Sequence, residues 1–314
     1  MLGEAVEDPV LTLQDRIARG GVVILDGAMG TELQRRGVPM DGIAWSAAAL
    51  ATHPEAVRGV HEDYLRAGAE VLITNSFAAS RHVLAATGLG EHVAELNRRS
   101  VALAREAIAN VAVDRPVWVA GSISTFVPWG DNRHRPLAAA ERASYSEQAE
   151  LLAEAGADLL VLEMIRDIDQ ACTIVEAAAA TGLPFWVGFT CRLGEDGQTV
   201  LLRGRDAERP LRDCMAPVLA AGPCSAVAVM HCETEASGRA LEIVMEQWKG
   251  PVACNPECGE WENPDWRFGE LAPDAFATAA ESWADRGVRI IGGCCGIGPE
   301  HIGALSQRLG GGRE

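Results

Sequence analysis

Glu154-Ala155-Gly156-Ala157-Asp158-Leu159-Leu160-Val161-Leu162-Glu163 reads as a helix end, a glycine stop and a strand with no polar face. Glycine just past a helix lets the chain leave in a left-handed conformation. Four consecutive aliphatics without alternation mark a strand buried on both faces, as in a parallel sheet. The phrase recurs at Arg66-Ala67-Gly68-Ala69 and Asp285-Arg286-Gly287-Val288. Working outward, eight strands are expected: Val22–Gly27, Glu70–Phe77, Pro116–Ser124, Asp158–Met164, Pro184–Thr190, Ala226–Cys232, Pro251–Cys258 and Arg289–Cys295. Helices are expected between and after them, with Pro54, Pro273 and Pro299 in first turns that tolerate proline. Eight strand–helix units predict an α/β fold, a (β/α)8 TIM barrel in a single domain. The alternative is an open doubly wound sheet, but Asp26-Gly27-Ala28-Met29-Gly30-Thr31 after the first strand is not a dinucleotide-binding fingerprint. Residues 1–20 are expected as an N-terminal arm or extra helix, 21–309 as the barrel and 310–314 as a flexible tail. Val127–Pro136 and Arg192–Glu208 read as irregular loops at the top face.

The composition narrows the function. A formal charge of -17 over 314 residues repels phosphate backbones and anionic membrane surfaces, so neither nucleic acid nor membrane is an expected partner. No apolar stretch is long enough for a spanning helix. Nine scattered cysteines in a chain of this length point to a reducing cytoplasmic location, where clustered thiols bind metal or react rather than pair. Small molecules are the expected partners, and a homo-oligomer is compatible with the sequence.

In a barrel of this kind the site lies at the C-terminal strand ends. Polar and metal-binding residues collect there: Asp26-Gly27, Thr74-Asn75-Ser76, Glu163, His231-Cys232, Asn255 to Cys258, and Cys294-Cys295. The last pair sits in Gly292-Gly293-Cys294-Cys295-Gly296, where glycines allow a turn that brings adjacent side chains together. Cys232, Cys294 and Cys295 suggest zinc (Zn2+) with three thiolates and one open position, the pattern of a catalytic rather than a structural site. Cys232 alone would read as a small core residue. Cys254 and Cys258 form a weaker alternative pair. His231 is a competing donor, but regular strand alternation points it away from Cys232. Asp26 reads either as a helix N-cap or, with Glu163, as a receiver of an amino-acid ammonium, with the Gly27 backbone and Thr74 hydroxyl taking the carboxylate. Spacing alone leaves both open.

Ile24-Leu25-Asp26-Gly27-Ala28-Met29-Gly30-Thr31-Glu32-Leu33, Ile73-Thr74-Asn75-Ser76-Phe77 and Gly292-Gly293-Cys294-Cys295-Gly296 followed by Pro299-Glu300-His301-Ile302 resemble the homocysteine S-methyltransferase family. The resemblance runs from about Val22 to Leu309. It implies a barrel with zinc on Cys232, Cys294 and Cys295, and homocysteine contacts at Asp26, Gly27, Thr74 and Glu163. It implies methyl transfer from a small onium donor, S-methylmethionine or S-adenosylmethionine foremost, to homocysteine, giving methionine. A betaine-like or corrinoid donor, or another thiol or selenol acceptor, is the alternative; a thiol-redox or structural-zinc barrel is the second. Two departures stand out. His231 replaces the usual Asn, and Ala78 and Met164 stand where betaine-specific members carry tyrosines, which argues against betaine. Trp45 matches a family tryptophan and is a candidate wall of the donor pocket; Trp129 is another.

Overall fold

The computed structural model describes residues 12–204 and 209–310. Residues 1–11 of the expected arm and 311–314 of the expected tail lie outside them. Eight parallel strands form the barrel: β1 (Val23–Ile24), β2 (Val71–Ile73), β3 (Trp118–Ser124), β4 (Leu159–Ile165), β5 (Phe185–Phe189), β6 (Ala226–Glu233), β7 (Val252–Glu257) and β8 (Ile290–Ile291). Each pairs with its sequence neighbour, β8 pairs back to β1, and a Leu25–Val71 bridge joins β1 to β2.

Alternation along the strands divides the core into two layers. Val23, Val71, Ala120, Val161, Ala228 and Ile290 belong to one cluster drawn from all eight strands, which is the barrel interior. Their neighbours Ile24, Leu72, Val119, Leu160, Val227 and Ile291 pack outward against the helices. Parity therefore decides whether a strand residue faces the barrel axis or the helix layer. Helices form at Pro54–Ala67, Ile168–Ala180, Pro273–Asp285 and Pro299–Leu309, with Pro54, Pro273 and Pro299 in their first turns as expected.

The N-terminal helix Leu13–Ala18 carries a capping box in which Thr12 and Asp15 satisfy each other's backbone N–H. Its Leu13 and Ile17 join the barrel interior. Ile17 also shares a small cavity with Trp186, Ser225 and Pro251 near the strands' N-terminal ends, so this helix covers the barrel floor.

The loop expected at Arg192–Glu208 instead begins as a hairpin, Cys191–Leu193 against Val200–Leu202. Asp196 organises its turn by accepting the Gln198 and Thr199 N–H groups. A second hairpin, Gly259–Glu262 against Asp265–Phe268, follows β7 and turns at a cis Asn263-Pro264 bond. No helix among the described residues is long and apolar enough to cross a membrane.

Candidate active site

Beyond β8, the turn Gly292 to Gly296 threads between its neighbours. The Gly293 N–H donates to the Asp26 carbonyl (3.1 Å), Cys294 N–H to Pro256 (2.7 Å), and the Cys295 carbonyl accepts from Cys258 N–H (2.8 Å). Gly296 has φ +85°, and a Cβ there would stand 2.0 Å from the Cys258 carbonyl oxygen. Gly296→Ala is therefore expected to cost about 2–4 kcal/mol of stability, combining left-handed strain with an overlap against backbone. Urea unfolding checks this: the midpoint should fall with an unchanged slope.

The turn sets the Cys294 and Cys295 sulfurs 3.9 Å apart. Two sulfurs at about 2.3 Å from one tetrahedral zinc stand about 3.8 Å apart, so the pair fits that ion. The hydrogen bond with Cys295 and burial push the Cys294 thiol well above its ordinary value. A nearby cation is what such a pair needs in order to ionise.

Cys232 does not join them. Its sulfur accepts the Cys191 N–H at 2.9 Å and packs in the helix layer, whereas Cys294 and Cys295 pack with tryptophans. The reason lies in β6. Its register against β7 shifts between Met230 and Glu233, and His231 sits at φ +52°. This bulge reverses parity, turning Cys232 outward and His231 toward the barrel mouth. The alternation that separated the two side chains holds; the assignment of which one faces the mouth does not. His231 Nδ1 lies 3.1 Å from Cys294 Sγ, and its Nε2 lies 2.9 Å from Glu163 Oε2. Ser122 donates its hydroxyl to the other Glu163 oxygen. Because the carboxylate can only accept, Nε2 carries a proton and a Ser122–Glu163–His231–Cys294 chain results. Among the described residues, no three His, Cys, Asp or Glu side chains converge as a metal requires.

A cavity of about 60 Å³ beside this chain is lined by Gly27, Thr74, Glu163, Asn255 and both vicinal cysteines. A Cβ on Gly27 would lie 2.4 Å from the Ile297 carbonyl oxygen, so only glycine brings the backbone this close. Asp26 is not a helix cap: the cap position of Met29–Arg35 is Ala28. One Asp26 oxygen accepts the Ile73 N–H at 2.8 Å and the other is buried without a partner. Burial, with Glu163 adding to it, pushes the Asp26 carboxyl well above the ordinary carboxylate range. Asn255 Oδ1 is likewise buried and unpartnered. The Thr74 hydroxyl lies 2.7 Å from Ser76 Oγ, whose own hydrogen goes to the Ser122 carbonyl, so the Thr74 hydrogen is already committed.

A larger cavity of about 140 Å³ opens on the other side of Cys295. Trp45, Phe77, Phe126, Trp261 and Trp266 form its walls. Phe77 meets Trp45 edge-on at 6.3 Å and Phe126 at a tilt at 5.6 Å, and Phe126 meets Trp261 edge-on at 6.1 Å. Trp261 and Trp266 arrive on the second hairpin, which Gln34 anchors through both backbone groups of Trp266. Sequence reading passed over them, although the turn dipeptide Asn263-Pro264 between two tryptophans marks such a hairpin. Trp129 stacks instead on His134 at 4.3 Å and is not a wall of the cavity. Among the described residues, five non-glycine residues have positive φ, and three of them, Trp45, Met164 and His231, line this cavity. Strained backbone of this kind concentrates at functional sites.

Residues 23–309 match the homocysteine S-methyltransferase family model. The chain belongs to the homocysteine S-methyltransferase family. It is a methyltransferase-family enzyme. It is 32% identical to an Escherichia coli homocysteine S-methyltransferase over 91% of this chain and 95% of the relative. It is 30% identical to a selenocysteine Se-methyltransferase of Brassica oleracea over 92% of this chain and 90% of that one. The metallated form of the E. coli homocysteine methyltransferase MmuM superposes with a TM-score of 0.76 at 32% identity, covering 94% of this chain and 99% of that one. The family assignment accords with a single eight-stranded barrel whose vicinal cysteines lie at its mouth.

Proposed function

We propose that the chain transfers a methyl group from a compact onium donor, S-methylmethionine or S-adenosylmethionine foremost, to the thiol of homocysteine, giving methionine. The observation that carries this reading is that two cavities meet at Cys295, one holding the Glu163 and Asn255 side chains and the other walled by five aromatic rings. Trp45, Phe77, His231 and Cys295 line both. An amino-acid thiol in the smaller cavity and an onium methyl in the aromatic one would face each other across that shared wall, and such positioning contributes much of the rate. Aromatic faces favour the cation and keep water from it. The hairpin tryptophans supply the aromatic surface missing at Ala78 and Met164, so the absence of tyrosines there no longer weighs against betaine by itself.

Asp26 and Glu163 would receive the ammonium of homocysteine, and the Gly27 backbone would line its carboxylate end. Thr74 would shape the pocket rather than donate to the substrate. Cys294 and Cys295 would hold zinc together with Cys232, turned inward from its place beside Cys191. When bound, the ion lowers the pKa of a coordinated thiol. The 3.1 Å approach of His231 to Cys294 favours a second reading, in which the imidazole is the third donor.

The decisive assay incubates purified zinc-loaded protein with homocysteine and CD3-labelled S-methylmethionine, S-adenosylmethionine or betaine. Labelled methionine is expected by mass spectrometry. Its absence with every donor would overturn the reading.

The Asp26 role makes a separate prediction. An acid whose folded value is raised stabilises the fold while protonated, and that contribution is lost as pH rises through the raised value. Substrate-free wild type should therefore lose stability more steeply than Asp26→Asn as pH rises above the ordinary carboxylate range. The variant should also bind homocysteine about 10- to 100-fold more weakly, having lost a charged partner for the ammonium. Thermal melts across pH and KM for homocysteine check the two halves.

A further inference from the structure

The walls of the aromatic cavity also carry charge. Arg166, Arg203 and Glu257 line it together with Thr190. Glu257 pairs with Arg203, whose guanidinium also donates to the His231 carbonyl at 3.3 Å. Arg166, which follows the end of β4, has no hydrogen-bond or ion-pair partner among the described residues. Burial and the neighbouring Arg203 pull the Arg166 guanidinium down to about 10; Tyr145 and Asp167 offset only part of this, and Asp167 is itself paired with Arg135. Thr190, the residue after β5, is 2% exposed, and its hydroxyl is also unpartnered. A cavity meant only for a cation would not hold one guanidinium in excess. A fork donor and a hydroxyl, both unused and facing one space, suit a carboxylate.

We propose that Arg166 and Thr190 bind the carboxylate of the methyl donor, so that the enzyme uses onium acids and discriminates against onium ions that lack a negative charge. This rests on the methyl-transfer reading above and narrows its donor class to zwitterions. The aromatic faces would hold the onium head near Cys295 while the carboxylate end neutralises the surplus positive charge of the wall.

The test compares S-methylmethionine with its methyl ester, which keeps the sulfonium and the ammonium and removes only the carboxylate charge. Wild type should favour the free acid about 10- to 100-fold in kcat/KM, the range for a hydrogen bond to a charged group. Arg166→Gln should reduce that ratio to within about threefold of unity, Arg166→Lys should keep part of it, and Thr190→Val should lower it less, with KM for homocysteine steady throughout. Equal use of acid and ester by wild type, or a ratio unchanged in Arg166→Gln and Thr190→Val, would overturn the proposal. If wild type transfers methyl from neither compound, S-methylmethionine is not the donor, and the methyl-transfer reading stands or falls on the other donors of the assay above. Quenching of the fluorescence of Trp45, Trp261 and Trp266 by the acid and by the ester then decides the carboxylate site on its own: tighter binding of the acid, lost in Arg166→Gln, supports it, and equal binding refutes it.

Discussion

Cys294→Ala is expected to leave the barrel folded while removing tightly bound zinc and lowering methyl transfer on the order of 10³-fold or more. The side chain is small, and it packs with tryptophans at the mouth rather than inside either core layer. Its loss therefore opens little space in the interior, and the thermal midpoint should shift by only a few degrees. The functional cost is far larger, because a metal Lewis acid contributes several kcal/mol and loses its site when one of two adjacent donors is gone. Three measurements separate the parts: metal content after dialysis, far-ultraviolet circular dichroism, and methionine formation. A folded variant that kept both zinc and full activity would remove the vicinal pair from the mechanism.

The second large effect concerns which side chain of β6 completes the site. In cobalt-substituted protein without homocysteine, Cys232→Ala is expected to lose about one third of the sulfur-to-metal charge-transfer intensity, and metal affinity should fall with it, as one of three thiolates is removed. His231→Ala should keep that intensity and bind metal nearly as well. The opposite pattern, an unchanged spectrum in Cys232→Ala with weakened metal binding in His231→Ala, would establish the imidazole as the third donor. The experiment is informative because the structure holds Cys232 on the Cys191 N–H and His231 on Cys294, so neither result follows from adjacency in the sequence.

The contrast between these residues shows where the sequence was legible. Leu159 to Leu162 announce a strand buried on both faces, because burial on two sides suppresses alternation. The glycine stops and helix-starting prolines are local backbone chemistry, so the helix beginning at Pro273 could be placed to the residue. The cysteine turn was legible for the same reason: its glycines describe a close approach of backbone that nothing larger permits. The orientation of Cys232 was not. Alternation counts residues along a strand, and a single left-handed residue at His231 resets the count without any glycine or proline to signal it. The roles of Trp261, Trp266, Arg166 and Thr190 were hidden for another reason. They arrive from three separate parts of the chain, the ends of β4 and β5 and the hairpin after β7, and their common property, facing one space, exists only after the barrel has closed. Asp26 lost its cap reading because the chain needs two more residues before the helix starts, leaving the carboxylate on the Ile73 N–H.

The floor helix has a practical consequence. Leu13 and Ile17 seal the end of the barrel opposite the cysteines, so the helix Leu13–Ala18 stands on the face remote from both cavities. Attachment at an exposed position of that helix, such as Gln14, as a surface linkage for immobilised catalysis, leaves the mouth free for substrates. Attachment through the hairpin at Gly259–Phe268 would load the element that carries two walls of the aromatic cavity.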